Sequence, residues 1–452
     1  MKKLLSLSLV SAFAGLMFSQ TAMAQNNGGQ DLVARGEYLA VAGDCGACHT
    51  APGGKAFAGG LPLATPLGKI YSTNITPSKV AGIGDYTLDD FEHAVRKGVR
   101  KDGAHLYPAM PYTAYSSITD EDMQALYAYF MQGVKPVDDK AAETALPFPF
   151  NIRLSMAGWN LLFAHGKPYV ADSGKSAEWN RGAYLVQGLT HCSTCHTPRN
   201  ALMAEQADNA LGGASLGTWF APNITPDPHA GIGSWSQQDL EQYLATGRSA
   251  NGSQAGGPML EAIDKSFSKL SPADIQAIAT YLRALPAQSI NAAPGKLPTS
   301  TPRLSDVAIM TGSAPEGAKL YEAHCSTCHQ LSGQGGNGIP ALFGNAALKR
   351  PVADNAVMAV LEGVTPDKGQ AMPAFSDKLD DRQMATLVNY LFKTYGDAGV
   401  QTTPERVKAL REGGEASPLI ALAKEGMLAG IIILVLLVIG GGVIIQRKKS
   451  RK

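Results

Sequence analysis

Cysteine is scarce in this chain of 452 residues, which contains only six. None of the six lies outside a Cys-x-x-Cys-His motif, and the motif occurs three times, at residues 45–49, 192–196 and 325–329. A tetrahedral zinc site needs a second pair of ligands at matching spacing, and no motif has one nearby. A thioredoxin-like redox pair would lie beside a βαβ pattern, which is also absent. Disulfides between the motifs would leave the three histidines unexplained.

The chain also lacks an excess of charge of either sign, since 39 Lys and Arg residues balance 38 Asp and Glu residues. Seven of the basic residues belong to the two chain ends, so the rest of the chain sets 32 basic against 38 acidic side chains. This balance excludes the basic surface that nucleic-acid binding requires. A mildly acidic surface suits a neutral or basic protein partner.

Cys-x-x-Cys-His is the attachment signature of c-type haem. The two thiols add to the vinyl groups of one haem, and the following histidine becomes the proximal ligand of its iron. The sequence therefore predicts three covalently bound haem c groups. The predicted attachment residues are Cys45, Cys48, Cys192, Cys195, Cys325 and Cys328, and the predicted proximal ligands are His49, His196 and His329.

A methionine thioether as the sixth ligand raises the reduction potential of such a haem and favours electron transfer over ligand chemistry. Met110 and Met372 lie in proline-marked loops before a predicted helix, whereas methionines that fill a core usually follow a helical periodicity. Met259 holds the position equivalent to Met110 in the second repeat but lacks the following proline, and Met203 competes with it. We predict Met110, Met259 and Met372 as the sixth ligands.

Two more residues are candidates for contacts around the haems. Proximal histidines normally donate their second ring N–H to a backbone carbonyl, and Pro340 is placed in the sequence to provide one for His329, unless it is an ordinary turn proline. Arg199 is placed to pair with a haem propionate or to be solvated. Three other histidines near the motifs or ligand loops are interpreted as surface or supporting residues rather than ligands: His105, His191 and His324.

Internal repetition divides the chain. Arg-Gly-x-Tyr-Leu occurs at 35–39 and 181–185, and Asn-Ile-Thr-Pro occurs at 74–77 and 223–226, so the first two units are duplicates. The third unit is shorter. We place the three units at 30–133, 176–286 and 304–398, with a connecting segment at 134–175 and a Pro/Ala/Ser/Thr-rich linker at 287–303.

Each unit has the same helical pattern, which predicts an all-α fold. An opening helix carries a glycine and a tyrosine ahead of the haem motif, and a closing helix follows a polar cap and buries one face. We expect the glycines (Gly36, Gly182 and Gly317) to let the two helices cross closely. The connecting segment contains the apolar runs 147–150 and 159–163, which either pack on the haem units or contact a partner subunit or the membrane.

The two chain ends carry targeting patterns. Residues 1–24 combine two lysines, an apolar run and Ala-Met-Ala, which predicts a cleaved signal peptide. Residues 427–445 contain no charge and are long enough, at about 28 Å, for a transmembrane helix. Five basic residues in the tail 446–452 predict a cytoplasmic end. We therefore expect the protein in the bacterial inner membrane, with its haem units on the periplasmic side.

With these features the chain resembles the three-haem cytochrome c subunit of bacterial membrane-bound dehydrogenases, as in the alcohol, aldehyde, gluconate and fructose enzymes. The resemblance is carried by the three haem motifs and by residues 36–39, 74–77, 107–111, 181–185 and 372–373. It implies three tandem class I cytochrome c domains plus one C-terminal transmembrane helix. It also implies a large periplasmic catalytic subunit, a small third subunit, and ubiquinone as the electron acceptor.

The resemblance assigns this chain the relay and the anchor, because it has no flavin, quinone-cofactor or molybdopterin pattern of its own. The substrate oxidised by the catalytic subunit is then an alcohol, an aldehyde, a sugar or a sugar acid. Two alternatives remain open. The chain is either a membrane cytochrome that donates electrons to a terminal oxidase or an autonomous haem enzyme with an open sixth position on one iron.

Overall fold

The computed structural model describes residues 29–65, 67–250, 252–289 and 312–414, together with residues 420, 423 and 425–427. The predicted signal peptide, most of the linker, the first residues of the third unit and the basic tail lie outside the described residues. The predicted transmembrane helix also lies outside them, apart from Met427. Within the part that is described, no helix is long and apolar enough to cross a membrane.

The first unit is mostly helical. Its helices are α1 (29–42), α2 (Cys45–His49), α3 (Leu88–Lys97), α4 (Tyr112–Tyr115) and α5 (Asp120–Ala128), and α5 continues into a π-helical turn, Tyr129–Gly133. One short antiparallel hairpin interrupts them, with β1 (Pro62–Thr65) paired to β2 (Gly68–Tyr71) in the register Pro62 to Tyr71. The helical pattern predicts the helices but not this hairpin.

The second unit repeats the first after the connecting helix α6 (Ser155–Phe163). Its helices are α7 (Ala177–Tyr184), which continues into the π-helical turn Leu185–Leu189, α8 (Cys192–His196), α9 (Gln237–Thr246), α10 (Gly257–Lys265) and α11 (Pro272–Arg283). A two-residue hairpin joins β3 (Ala214–Ser215) to β4 (Phe220–Ala221). Short 3-10 turns lie at Ala207–Asn209 and Phe267–Lys269.

The third unit is shorter and has no named strand in its described residues. Its helices are α12 (Glu316–His324), α13 (Ser326–His329), α14 (Asp354–Glu362), α15 (Asp381–Tyr395) and α16 (Pro404–Arg411), with a 3-10 turn at Ala346–Lys349. All three units thus contain the opening and closing helices that the sequence predicts.

Polar caps start the closing helices where the sequence predicts them. The side chain of Thr119 accepts a hydrogen bond from the backbone N–H of Asp122, and Ser271 does the same for Asp274. Asp380 forms a full capping box with Gln383. These bonds satisfy backbone donors that the first turn of a helix leaves unpaired, so each closing helix begins at a defined residue.

The close helix crossings are confirmed in all three units. A Cβ atom at Gly36 would overlap the carbonyl oxygen of Ala125 in α5, and one at Gly182 would overlap that of Ala277 in α11. A Cβ at Gly317 would lie 2.5 Å from the Cβ of Tyr390 in α15. Only glycine therefore fits where each opening helix crosses the closing helix of its unit.

The described residues bury two hydrophobic cores rather than three. One core is shared by the first two units and includes Leu39, Leu126, Leu185 and Ile278. The third unit has a separate core, which includes Tyr321, Val357 and Leu387. The duplicated units are therefore packed together as a pair, against which the third unit lies.

Candidate haem sites

Each Cys-x-x-Cys-His motif forms a single short helical turn. In the first two motifs the residue before the turn adopts a left-handed conformation, with φ of 52° at Asp44 and 36° at His191. The six cysteines are free thiols, so the disulfide alternative does not apply. Among the described residues, no group of three or more His, Cys, Asp and Glu side chains is arranged to hold a metal ion by itself.

Burial keeps the thiols protonated. It raises the pKa of Cys45 and of Cys325 to about 12, and that of Cys192 to about 11. Neutral, buried thiols are compatible with addition to the vinyl groups of a haem.

All three motif histidines are oriented by a backbone carbonyl. The Nδ1–H of His49 donates to the carbonyl oxygen of Thr73 at 2.6 Å, and that of His196 donates to Pro222 at 2.6 Å. His329 donates to Pro340 at 3.2 Å, as predicted. This bond leaves Nε2 as the free nitrogen for iron. Burial also lowers the pKa of His196 to about 4, so its ring is neutral, as a metal ligand must be.

The carbonyl partners of the first two histidines were not predicted from the sequence, although a repeated sequence segment marks both of them. Thr73 and Pro222 each directly precede an Asn-Ile-Thr-Pro segment. Asn74 is buried, accepts hydrogen bonds from the N–H and hydroxyl of Thr76, and donates to the carbonyl of Val137. The repeated segment therefore holds the loop whose carbonyl orients the proximal histidine.

The second and third motifs face one continuous cavity of about 310 Å³. Two of the predicted sixth ligands, Met259 and Met372, line it. The walls are largely apolar. The same cavity is lined by five residues of the two motifs, namely Cys192, Cys195, His196, Cys325 and His329. Thiols, a neutral imidazole and a thioether around an apolar space are the donor set that a c-type haem requires, so these residues fit the group.

The other two candidate methionines, Met110 and Met203, are not among the residues that line this cavity. Met110 packs against the core shared by the first two units, in a turn where its N–H donates to the carbonyl of Tyr107. Met203, the competitor of Met259, lies in a tight turn with φ of 65°, and its carbonyl accepts a hydrogen bond from Arg199. The ligand roles of Met110, Met259 and Met372 remain predictions.

Arg199 is not a solvated side chain. Its guanidinium donates to the carbonyls of Thr194 at 2.8 Å and Met203 at 3.0 Å, and it lies 3.6 Å from Glu205. These contacts fold the loop after the second motif. Its predicted pairing with a propionate remains a prediction.

The first motif lies against the second unit. Helix α2 contacts α10 of the second unit, and burial raises the pKa of Cys48 to about 11. Burial and the nearby Glu261 raise the pKa of Asp44 to about 7. His191 also lies at this contact, edge-on to the ring of Tyr115, whose hydroxyl donates to the carbonyl of Gly43.

The connecting segment packs on the loop that carries Met110. Trp159 meets the ring of Tyr112 edge-on, and the hydroxyl of Tyr112 donates to Asn160 at 2.7 Å. Packing on a haem unit is thus confirmed. The outer face stays apolar, because Leu154 and Leu161 are 76% and 75% exposed. Contact of that face with a partner subunit or a membrane remains a prediction.

Comparison with known proteins agrees with this geometry. The family described as Cytochrome c matches residues 33–133 and 180–286, and the family described as Cytochrome C oxidase, cbb3-type, subunit III matches residues 312–391. Each matched range contains one haem motif.

Whole-chain relatives are cytochrome subunits of dehydrogenases. The chain is 46% identical to the fructose dehydrogenase cytochrome subunit of Gluconobacter japonicus, over 88% of this chain and 86% of that one. It is 41% identical to the gluconate 2-dehydrogenase cytochrome c subunit of Pantoea cypripedii, over 87% and 92%. It is 38% identical to the alcohol dehydrogenase (quinone), cytochrome c subunit, of Gluconacetobacter polyoxogenes, over 89% of each. The chain therefore belongs to the family of dehydrogenase cytochrome c subunits.

Proposed function

We propose that this chain relays electrons through three c-type haems from a large periplasmic dehydrogenase subunit to ubiquinone in the inner membrane. The observation that carries the proposal is the threefold recurrence of one arrangement: a Cys-x-x-Cys-His turn whose histidine donates Nδ1–H to a backbone carbonyl. A bound haem supplies reversible one-electron chemistry at its iron. The chain supplies the attachment thiols, the oriented imidazoles and the apolar surroundings.

The second haem occupies the middle of this relay. Helix α2 of the first motif contacts α10 of the second unit, and the second and third motifs share one cavity. Electrons that enter at either end therefore cross the second site. Variants that lose both thiols of this motif, Cys192→Ala with Cys195→Ala, retain two haems but interrupt the chain.

The names of the relatives support a catalytic subunit that oxidises an alcohol, a sugar or a sugar acid. An aldehyde as substrate and a small third subunit in the complex are parts of the proposal. The apolar segment 427–445 anchors the complex, and the haem units face the periplasm. We expect a large dehydrogenase subunit to copurify from solubilised membranes, and we expect truncation before Met427 to release the complex into the soluble fraction. Copurification with no dehydrogenase subunit would contradict the proposal.

Relay to ubiquinone is tested with the purified complex, by measuring substrate-dependent reduction of a ubiquinone analogue. The double variant in the second motif should abolish quinone reduction while the catalytic subunit still reduces a soluble dye acceptor. Unchanged quinone reduction in that variant would show that the relay bypasses the second haem.

A second candidate function is donation of electrons to a terminal oxidase. It is favoured by the match of residues 312–391 to the cbb3-type oxidase subunit III family. In that case a haem–copper oxidase copurifies instead of a dehydrogenase, and the reduced chain is reoxidised by oxygen only in its presence.

A further inference from the structure

Arg350 of the third unit lines the cavity that the second and third motifs share. It follows the 3-10 turn Ala346–Lys349 and lines the cavity together with His196 and Tyr243 of the second unit. Its charge is close enough to His196 to lower the pKa of that imidazole. The third unit thus places a permanent cation beside the proximal ligand of its neighbour.

This guanidinium makes no hydrogen bond or ion pair with any residue that the structure describes. Other arginines near the haem sites do have such partners, since Arg199 contacts two carbonyls and Glu205, and Arg248 donates to the carbonyl of Gly338 at 2.8 Å. Burial lowers the pKa of Arg350, and only Tyr243 opposes that effect. An arginine does not lose its proton in a protein, so a cation in an apolar cavity calls for an anion.

The chemistry of the site provides one kind of anion. Each c-type haem carries two propionate carboxylates, and an arginine fork matches a carboxylate in a bidentate geometry. We propose that Arg350 pairs with a propionate of the haem held by Cys192, Cys195 and His196, and so clamps the third unit onto the haem of the second. The proposal rests on the proposed function, because it requires a haem at the second motif.

Besides the charged hydrogen bond from Arg248 to Gly338, two asparagines form neutral contacts between these two units. Asn355 accepts a hydrogen bond from the N–H of Phe220 at 2.7 Å and donates to its carbonyl at 2.8 Å. Asn345 donates to the carbonyl of Gly252 at 3.3 Å. A charged pair across the shared cavity would add a pairing of opposite charges to this interface and would make the interface depend on the haem.

The clamp also has an electrostatic consequence. A positive charge beside a haem stabilises the reduced iron relative to the oxidised iron, and a paired propionate stays ionised over a wide pH range. Removal of the guanidinium should therefore lower the midpoint potential of that haem. The unpaired propionate of that haem should then titrate, so that the midpoint potential of the haem becomes dependent on pH.

The test compares Arg350→Gln with Lys349→Gln in the full-length complex. Lys349 is the adjacent residue and is exposed, so its replacement by glutamine removes one positive charge next to Arg350. The readout is optical redox titration of the three haems at several pH values. We expect Arg350→Gln to lower one midpoint and to give it a new pH dependence, while Lys349→Gln leaves all three unchanged. No shift in Arg350→Gln, or an equal shift in Lys349→Gln, would overturn the proposal.

The shifted haem is identified in the Cys192→Ala, Cys195→Ala background, which lacks the second haem, so that the shift caused by Arg350→Gln should disappear there. A shift that belongs to another haem would overturn the proposal. If Arg350→Gln fails to load haem, Arg350→Lys decides, because it keeps the cation but loses the planar fork. We expect the second haem to load and its midpoint to fall, and three unchanged midpoints in this variant would refute the clamp. A wild-type complex with only two haems would instead refute the proposed function.

Discussion

Tyr38 of the first haem unit donates a hydrogen bond to Asp274 of the second at 2.6 Å, and its hydroxyl also accepts one from the backbone N–H of Ser271. The second unit makes the equivalent hydrogen bond in the opposite direction, because Tyr184 donates to Asp122 of the first unit at 2.6 Å. Each aspartate also forms an ion pair with the arginine in the opening helix of the same unit. The two units are therefore joined by a reciprocal, pseudo-twofold contact, as in an isologous dimer.

Loss of either hydroxyl should weaken this pairing. A hydrogen bond to a charged group contributes about 1.5–3 kcal/mol, whereas one between neutral groups contributes about 0.5–1.5 kcal/mol. We expect Tyr38→Phe and Tyr184→Phe each to lower the free energy of unfolding by the larger amount. Tyr127→Phe, which loses a bond to the carbonyl of Tyr86 within one unit, should cost the smaller amount. Urea denaturation measures all three, and equal losses would contradict the reciprocal contact.

The sixth ligands can be tested by spectroscopy. Met110→Ala, Met259→Ala and Met372→Ala should each convert one of three low-spin haems to a high-spin centre, because alanine provides no thioether. Electron paramagnetic resonance and optical spectra count the centres. Met203→Ala is the control and should leave all three haems low-spin. A wild-type protein that already contains a high-spin haem would support the autonomous enzyme.

The helix crossings predict a contrast between glycines. Gly36→Ala, Gly182→Ala and Gly317→Ala force a methyl group into the facing helix, and such overpacking typically costs about 1–3 kcal/mol. Gly158→Ala lies in α6 with no atom within 4 Å of the added methyl group, so it should be neutral or stabilising by about 0.5–1 kcal/mol. Thermal unfolding distinguishes the two outcomes, and equal melting temperatures would contradict the close crossings.

Asp44 predicts a dependence of stability on pH. Its pKa is about 7 in the folded chain and 3.8 ordinarily, because of burial and Glu261, while Lys265 and Lys269 oppose the shift. Between pH 4 and 7 the folded state binds the extra proton, so the free energy of unfolding should fall as pH rises through this window and then level off.

Asp44→Asn should remove this slope, and asparagine tolerates the left-handed backbone at this position. Asp90→Asn is the contrasting control, since bonding to Thr87 lowers the pKa of Asp90 and places its titration below the window. Denaturation from pH 4 to 8 measures the slope. A slope that persists in Asp44→Asn would assign it to another group.

The motif turns could be predicted from the sequence because their residues are local, and their role in haem attachment stays a prediction. Two thiols and an imidazole within five residues belong to one helical turn in any fold, so Cys192, Cys195 and His196 follow from spacing alone. The opening and closing helices were also predictable, since a 3.6-residue apolar period and a polar cap at Thr119 or Ser271 act through neighbouring residues. Pro340 was placed correctly for the same reason, as it lies close to His329 in the chain.

Contacts between units were decided by the tertiary structure. Tyr38 and Asp274 are 236 residues apart, and nothing in either segment specifies the other. The same holds for the shared core of the first two units and for Arg350 beside His196, where the sequence pointed to Arg199. Sequence determined the candidate attachment residues of each unit, because they lie within one turn. Only folding decided the order of the sites and their shared cavity, because these arise where surfaces from distant segments meet.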